Sequence, residues 1–206
     1  MPKTPNEFKK IRQEKTKLIK QTALELFADN GYHNTSISQI AKKAKISKGL
    51  IYNYFDNKEH LLIEIVKNFI QRTNQYFDNN KKNITEKEFL TYTEKIFNEI
   101  KQNPKEWKLL AALYFQKDAG KILMKIEGSI PTKTYQILTD FFASKNCKNP
   151  TEEMMFYSSL MEGAAIQFIF MPEIFDIDTL KNKIIKFYKE KFNKNETQTA
   201  NNNTNF

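Results

Sequence analysis

The chain is short of the residues that stabilise small secreted proteins and turn-rich folds. A single cysteine, Cys147, among 206 residues excludes an intramolecular disulfide and any zinc site built on several thiolates, and it fits a reducing, cytoplasmic setting. Five glycines and six prolines are under half the usual combined share of roughly 12%, which argues against a β-sandwich, a collagen or a Gly/Pro-rich linker protein. Only two histidines, His33 and His60, are present. With so few there is no His-centred triad or metal cluster, and neither a Walker loop nor a dinucleotide fingerprint occurs, so neither catalysis nor a cofactor is expected. Paired acids such as Glu86/Glu88 and Glu152/Glu153 stand near helix starts, where the helix dipole accounts for them. The most apolar stretch, Gly163–Met171, is interrupted by Gln167 and falls far short of the roughly 20 residues of a membrane span. The opening MPKTPNEFKK lacks the apolar run of a signal peptide, so export by that route is not expected.

What is there is length for one or two domains with a real core, and an uneven charge. Residues 1–80 carry 14 Lys/Arg against 8 Asp/Glu, net +6, whereas residues 81–206 carry 19 against 16, net +3. A basic head on a nearly balanced body points to a polyanion, nucleic acid or an anionic membrane surface, bound by the head while the body has another task.

The head reads as helices with explicit start and stop signals. Ile11, Leu18/Ile19, Thr22/Ala23 and Leu26/Phe27 recur at helical spacing and Asn30-Gly31 closes the run. Ser36 and Gln39 have capping-box spacing and open a second helix at Ile37, short and apolar on one face. After Lys45-Ile46, Ser47 offers another N-cap and a third helix begins at Lys48. It runs to Asp56-Asn57, the cap of a fourth and longer helix predicted over Lys58 to about Asn79. Two short helices joined by a three- or four-residue turn and braced by longer ones have helix-turn-helix proportions. Their shared apolar face (Ile37, Ile40, Ala41, Ile46, Ile51, Phe55) is expected to pack against helix one.

The segments Ala23-Leu24-Glu25-Leu26-Phe27-Ala28-Asp29-Asn30-Gly31-Tyr32, Thr35-Ser36-Ile37-Ser38-Gln39-Ile40-Ala41, Ser47-Lys48-Gly49-Leu50-Ile51-Tyr52-Asn53-Tyr54-Phe55 and Asn57-Lys58-Glu59-His60-Leu61-Leu62, at this spacing, resemble the DNA-binding domain of the TetR family of transcriptional regulators. The resemblance covers roughly residues 11–66. Lys45 departs from it, standing where the family usually has Gly in the turn. The resemblance implies an all-α protein: a three-helix helix-turn-helix domain over 8–66 and a helical body of five or six helices over 67–192. It further implies that Tyr52 and Tyr54 hydrogen-bond phosphates, with Lys48 and Lys58 supplying charge.

The residue types support that placement. Gly49 removes the side chain where helix and DNA come closest, and Ser47 begins a helix whose amides face phosphate. Successive positions on a helix diverge by about 100°, so Tyr52 and Tyr54 cannot both point into one core, although each has the alternative of a buried ring with a wet hydroxyl. Asn53 and Leu50 are candidate base readers, through adenine N6/N7 and a thymine methyl respectively. Thr35, Ser36 and Gln39 stand where they can touch phosphate or a base; for Ser36 and Gln39 a cap satisfied within the protein is the competing reading. Lys42, Lys43 and Lys45 form a charge cluster that is either a DNA-facing patch or an ordinary solvated face.

In the body, helical periods are predicted over Thr85 to about Gln102, Lys105–Asp118, Ile122–Ile126, Ser129–Ser144, Thr151–Phe170 and Asp178–Phe192, with an Asn/Thr-rich tail, 193–206, expected to be disordered. Phe89, Tyr92, Trp107, Tyr114, Phe115 and Tyr157 are candidates to line an apolar ligand pocket, core packing being the alternative for each. Gly163, Ala164, Ile184, Phe187 and Tyr188, on the last two helices, are the candidate dimer surface, with packing inside one chain as the alternative. The expectation is a homodimeric, cytoplasmic, DNA-binding transcriptional regulator, a repressor on a palindromic operator with a small-molecule inducer and no membrane partner. The competing reading is a basic α-helical interaction or membrane-surface protein.

Overall fold

The computed structural model describes residues 4–76, 81, 83–114 and 131–203. Among the described residues the secondary structure is nine helices and no strand: α1 Pro5–Asn30, α2 Ile37–Ala44, α3 Lys48–Tyr52, α4 Lys58–Asn74, α5 Glu86–Gln102, α6 Pro104–Tyr114, α7 Pro131–Ser144, α8 Pro150–Phe170 and α9 Ile177–Asn203. The expected all-α class holds. The segment Ile122–Ile126, the end of the sixth predicted helix beyond Tyr114, and residues 77–80 lie outside the described residues.

The chain divides into two compact units. The first holds the residues up to Ile70 and those from Lys108 to the end of α6; the second holds Gln71–Trp107 and the described residues from Pro131 onward. The return of Lys108–Tyr114 to the first unit is not written in the sequence, where α6 reads as part of the body. Leu109, Ala111 and Leu113 are buried, and Lys108 Nζ lies 3.8 Å from the Asp29 carboxylate at the end of α1.

In the first unit, α2 and α3 have eight and five residues, too few to persist alone in water. Their apolar positions hold them: Ile37, Ile40, Ala41, Ala44, Ile51 and Phe55 are buried with Ile19, Ala23, Leu24 and Phe27 of α1, while Ile46 is half-buried. α1 begins with a capping box in which Thr4 Oγ1 accepts from the Glu7 amide and the Glu7 carboxylate accepts from the Thr4 amide at 2.7 Å. It ends at Gly31, whose φ of 83° few side chains tolerate.

The second unit is built on aromatic rings. Phe89 of α5 stacks on Phe141 of α7 at 4.7 Å and meets Phe142, Tyr157, Tyr188 and Phe192 edge-on or tilted within 5.7 Å. Such pairs contribute about 0.5–1.5 kcal/mol each beyond the area they bury. A second knot is polar. Arg72 donates through Nε to Glu99 at 2.8 Å and also bonds Glu106, while Glu99 accepts from Tyr76 at 2.6 Å and from Asn103 at 2.9 Å. Burial and this hydrogen bond to a carboxylate push the Tyr76 phenol up to about 12.

The tail differs from expectation. α9 does not stop at Phe192 but continues to Asn203, so residues 193–203 are helical rather than disordered. Phe192 is fully buried, and one turn on, the Asn195 amide donates to the Lys145 carbonyl at 3.0 Å. That anchor lets the helix run into a segment whose polar composition alone gives no reason for order.

Candidate nucleic-acid interface

The local geometry of α2 and α3 follows from their caps. Gln39 N–H donates to Ser36 Oγ at 3.2 Å, and Gln39 Oε1 accepts from the Ser36 amide at 2.7 Å, so both residues carry the capping box their spacing suggests. The turn after α2 is left-handed at Lys45, with φ 54° and ψ 44°. The Ile46 amide reaches back to the Ala41 carbonyl and the Lys45 amide to that of Lys42, the paired bonds of a Schellman motif. Lysine therefore occupies the glycine conformation without breaking the turn, at a cost of about 1 kcal/mol. Ser47 Oγ then accepts from the Leu50 amide at 3.1 Å and opens α3.

This places α3 with one face in the core and the other in solvent. Ile51 and Phe55 are buried, and Ser47, Lys48, Gly49, Tyr52 and Asn53 are exposed. Leu50 and Tyr54 are half-buried at the margins. Tyr52 is 46% exposed, so its ring is not a core ring, and the Lys48 ammonium stands 5.9 Å from its centroid. A Cβ at Gly49 would meet no atom within 4 Å, so nothing inside the protein requires glycine there. Tyr54 is held between Phe55, 6.5 Å away, and the Arg12 guanidinium of α1, 4.9 Å over its ring. The role of Arg12 carries no motif in the sequence; its only trace is that it lies seven residues before the buried Ile19, on the same helical stripe.

Beside α3 an open groove of 390 Å³ is lined by residues of the α1–α2 turn and the starts of α2, α3 and α4, among them Asn34, Ser36, Ser38, Lys48, Tyr52 and Asn57. Its chemistry is hydroxyls, amides and ammonium groups, which suits an anion. Two expected ligand contacts are otherwise engaged. Thr35 is only 1% exposed, and its hydroxyl donates to the carbonyls of Leu26 and Gly31. It ties α1 to the turn. Lys58 donates to the carbonyls of Tyr32 and Thr35 at 2.8 Å and of His33 at 3.3 Å, with its ammonium 4.3 Å from the Tyr32 ring centroid. Burial lowers its pKa. Its three protons fix the turn that forms one wall of the groove, a role the sequence does not reveal because the acceptors are main-chain carbonyls 23–26 residues away. Of the lysine cluster, Lys43 pairs with Glu25 at 2.9 Å. Lys42 and Lys45 are exposed.

Apart from Tyr114 and Phe115, the ligand and dimer candidates fall in the second unit and separate sharply. Phe89 and Tyr157 are buried core rings, and the Tyr157 hydroxyl pairs with Thr93 at 2.9 Å. Tyr92 and Trp107 are half-buried and packed against that core. Phe115 lies outside the described residues, and of Tyr114 only the backbone is described. Among the dimer candidates, Ala164, Ile184 and Tyr188 belong to the unit's own core, so for these three intramolecular packing is what the structure shows. Gly163 has open space where a Cβ would stand. Phe187 is exposed beside exposed Phe156 at 6.1 Å, and Met155, Ile166 and Phe170 of α8 are exposed as well. Sequence reasoning did not single out these α8 side chains, since an apolar helix face does not say which of its residues a neighbour covers. Among the described residues no group of His, Cys, Asp and Glu has the makings of a metal site, and no helix is long and apolar enough to cross a membrane.

Comparison with known proteins agrees with this geometry. The family described as bacterial regulatory proteins, tetR family, matches residues 19–65. The HTH-type transcriptional regulator YuxN of Bacillus subtilis is 51% identical over 61 residues, 30% of this chain and 21% of that protein. The fatty acid metabolism regulator protein of Bacillus subtilis is 38% identical over 78 residues, 38% of this chain and 39% of that protein. The matches thus span about a fifth and two fifths of these relatives' own lengths. Solved structures extend the likeness to the whole fold. The fatty acid degradation regulator FadR of Bacillus halodurans aligns with 90% of this chain and 95% of its own, at 18% identity and a TM-score of 0.67. The transcriptional regulator FadR of Bacillus subtilis, solved in complex with stearoyl-CoA, aligns with 82% and 95%, at 25% identity and a TM-score of 0.62. The match to the tetR family thus covers the helix-turn-helix, residues 19–65, and the likeness of the whole chain to these solved regulators is one of fold.

Proposed function

We propose that this DNA-binding regulator is a homodimeric repressor that reads a palindromic operator with α3 and is released by an apolar small molecule. The observation that carries the DNA-reading part is the solvent face of α3. Lys48, Tyr52 and Asn53 stand exposed around a glycine that internal packing does not need, beside a groove of anion-binding chemistry. In this reading Ser36, Gln39, Ser47, Lys48, Tyr52 and Tyr54 hold phosphates, with Lys45 adding charge at the turn. Leu50 and Asn53 meet base edges, and Lys58 and Thr35 hold the turn rather than the ligand. Substituting Lys48→Ala or Tyr54→Phe weakens duplex binding without unfolding the protein; unchanged affinity in both refutes the placement.

A lone helix-turn-helix makes few contacts, and two give half-site readout. The exposed side chains Met155, Phe156, Ile166, Phe170 and Phe187, with open Gly163 between them, support the second-copy surface. Burying a side chain of this size is worth about 1.5–3 kcal/mol. Phe187→Glu then gives a monomer in sedimentation and loses operator binding.

For the ligand, the support is the likeness to a regulator solved with stearoyl-CoA and to a fatty acid metabolism regulator. The inducer is accordingly a long acyl chain, free or as its coenzyme A thioester, held by the body over residues 67–192. Its binding shifts α4, which continues from the DNA-binding unit into the second, and so changes the spacing of the two heads. Titrating stearoyl-CoA into the operator complex releases the protein; retention of the complex at saturating thioester and free acid refutes this ligand class.

A further inference from the structure

The first four turns of α1 precede the helix-turn-helix proper. The family match begins at residue 19, and no residue of α1 before Ile19 is fully buried. Fourteen residues at about 1.5 Å each make an arm about 20 Å long with no core of its own. It is nonetheless a well-started helix, closed by the Thr4/Glu7 capping box, and it holds five cations, Lys9, Lys10, Arg12, Lys15 and Lys17, against two acids, Glu7 and Glu14. None of the five makes an ion pair among the described residues.

The charges are sorted around the helix. At about 100° per residue, Lys9 and Lys15 lie about 60° to either side of Arg12, with only Pro5, Phe8 and Thr16 of the arm between. Glu7, Glu14, Lys10 and Lys17 all fall on the opposite side. The cationic face is therefore free of carboxylates, and its direction is fixed by one contact: the Arg12 guanidinium over the Tyr54 ring at 4.9 Å. The acid-free face thus borders the C-terminal end of the recognition helix.

We propose that the arm Pro5–Leu18 is a second DNA-contacting element, in which Lys9, Arg12 and Lys15 engage backbone phosphates beside the groove that α3 enters. The proposal rests on the DNA-binding reading above. Charge complementarity selects this occupant: unpaired cations facing one way, next to a tyrosine placed to bond a phosphate, match a line of phosphates. Arg12 has a double part, since stacking on Tyr54 orients the recognition helix's end while its remaining N–H groups stay free for phosphate.

The test uses the full chain and a duplex selected by the wild-type protein, and compares two double variants of equal charge. Lys9→Gln/Arg12→Gln removes the facing cations; Lys10→Gln/Lys17→Gln removes two from the opposite side. Each phosphate contact contributes a slope of about 0.9 in log affinity against log salt. With one arm at each half-site, the facing pair removes four contacts per dimer, lowers the slope by about 3.6 and weakens binding about a thousandfold at 0.15 M salt, with backbone protection lost at the flank of each half-site in a hydroxyl-radical footprint. The opposite pair leaves the footprint unchanged and the slope within about 0.5 of the wild type. Equal effects of the two pairs, or no effect of the facing pair, overturn the proposal. So does loss of anionic-vesicle binding by the facing pair with duplex binding intact. Failure of the wild-type protein to select any duplex strikes instead at the DNA-binding reading on which the arm depends.

Discussion

Gly49 separates what the fold needs from what the ligand needs. In the interior of an exposed helix, replacing Gly by Ala stabilises by about 0.5–1 kcal/mol through backbone entropy. The new Cβ would meet no atom within 4 Å, so no steric penalty offsets that gain. Gly49→Ala should therefore unfold at an equal or higher urea concentration than the wild type, by up to about 1 kcal/mol. If α3 lies against DNA at this position, the added methyl displaces the helix or excludes a phosphate contact. A lost charge-assisted hydrogen bond is worth about 1.5–3 kcal/mol, so affinity should fall between tenfold and about a hundredfold. Gly49→Leu enlarges the second effect. The assay is fluorescence anisotropy of a labelled duplex, alongside urea melts of the same samples. Destabilisation by Ala would refute the open-space reading of Gly49, and unchanged affinity of the stable Leu variant would refute its position at the DNA surface.

The strain at Lys45 gives a complementary expectation: Lys45→Gly relieves a left-handed lysine, φ 54°, and raises stability by about 1 kcal/mol, which thermal melts register as an increase of about 2–4 °C. Lys58→Met removes the ammonium bonds to three carbonyls, of which that of Tyr32 keeps the Thr35 amide, and lowers stability by about 2 kcal/mol in urea titration; a change below 0.5 kcal/mol, on the order of an ordinary surface substitution, would contradict its role in holding the turn. Tyr76 predicts an alkaline effect. Its phenol titrates at about 12 in the folded chain and near 10 when unfolded, so its contribution is complete below about pH 10 and is lost as pH rises through 12. Between pH 9 and 11 the wild type should lose more of its urea midpoint than Tyr76→Phe, and equal losses would remove the Tyr76–Glu99 bond from the account. Glu88 behaves oppositely. Its hydrogen bond from Lys81, with those from Thr85, holds its carboxyl at about 2, so this contribution is present above about pH 4.5 and lost as pH falls toward 2. NMR titration of Lys81→Met should show the Glu88 carboxyl moving up.

What was legible in the sequence was local. Ser36 and Gln39, and Ser47, announce helix starts through hydrogen bonds that close within three residues, and each acts as its spacing implies. The exposed face of α3 was legible because helical period fixes which residues accompany Ile51 into the core. What was not legible depends on residues distant in the chain. Thr35 and Lys58 looked like surface polar groups because their acceptors are main-chain carbonyls, which no residue identity advertises. Tyr188 and Phe187 read alike in sequence, yet neighbours on a helix diverge by about 100°, and the core takes the first while the second faces solvent. The helix beyond Phe192 was missed for the same reason: the anchor of Asn195 is the Lys145 carbonyl, 50 residues away.

The central claim is that α3 of a paired molecule reads duplex DNA by sequence. The most direct measurement is selection of binding sites from random duplex by the purified full-length protein, with affinity for the recovered site followed across salt. The account predicts a palindrome whose half-sites are spaced for two recognition helices, and a log–log salt slope steep enough for several phosphate contacts in each half-site. Salt-sensitive binding with no recovered motif would contradict it.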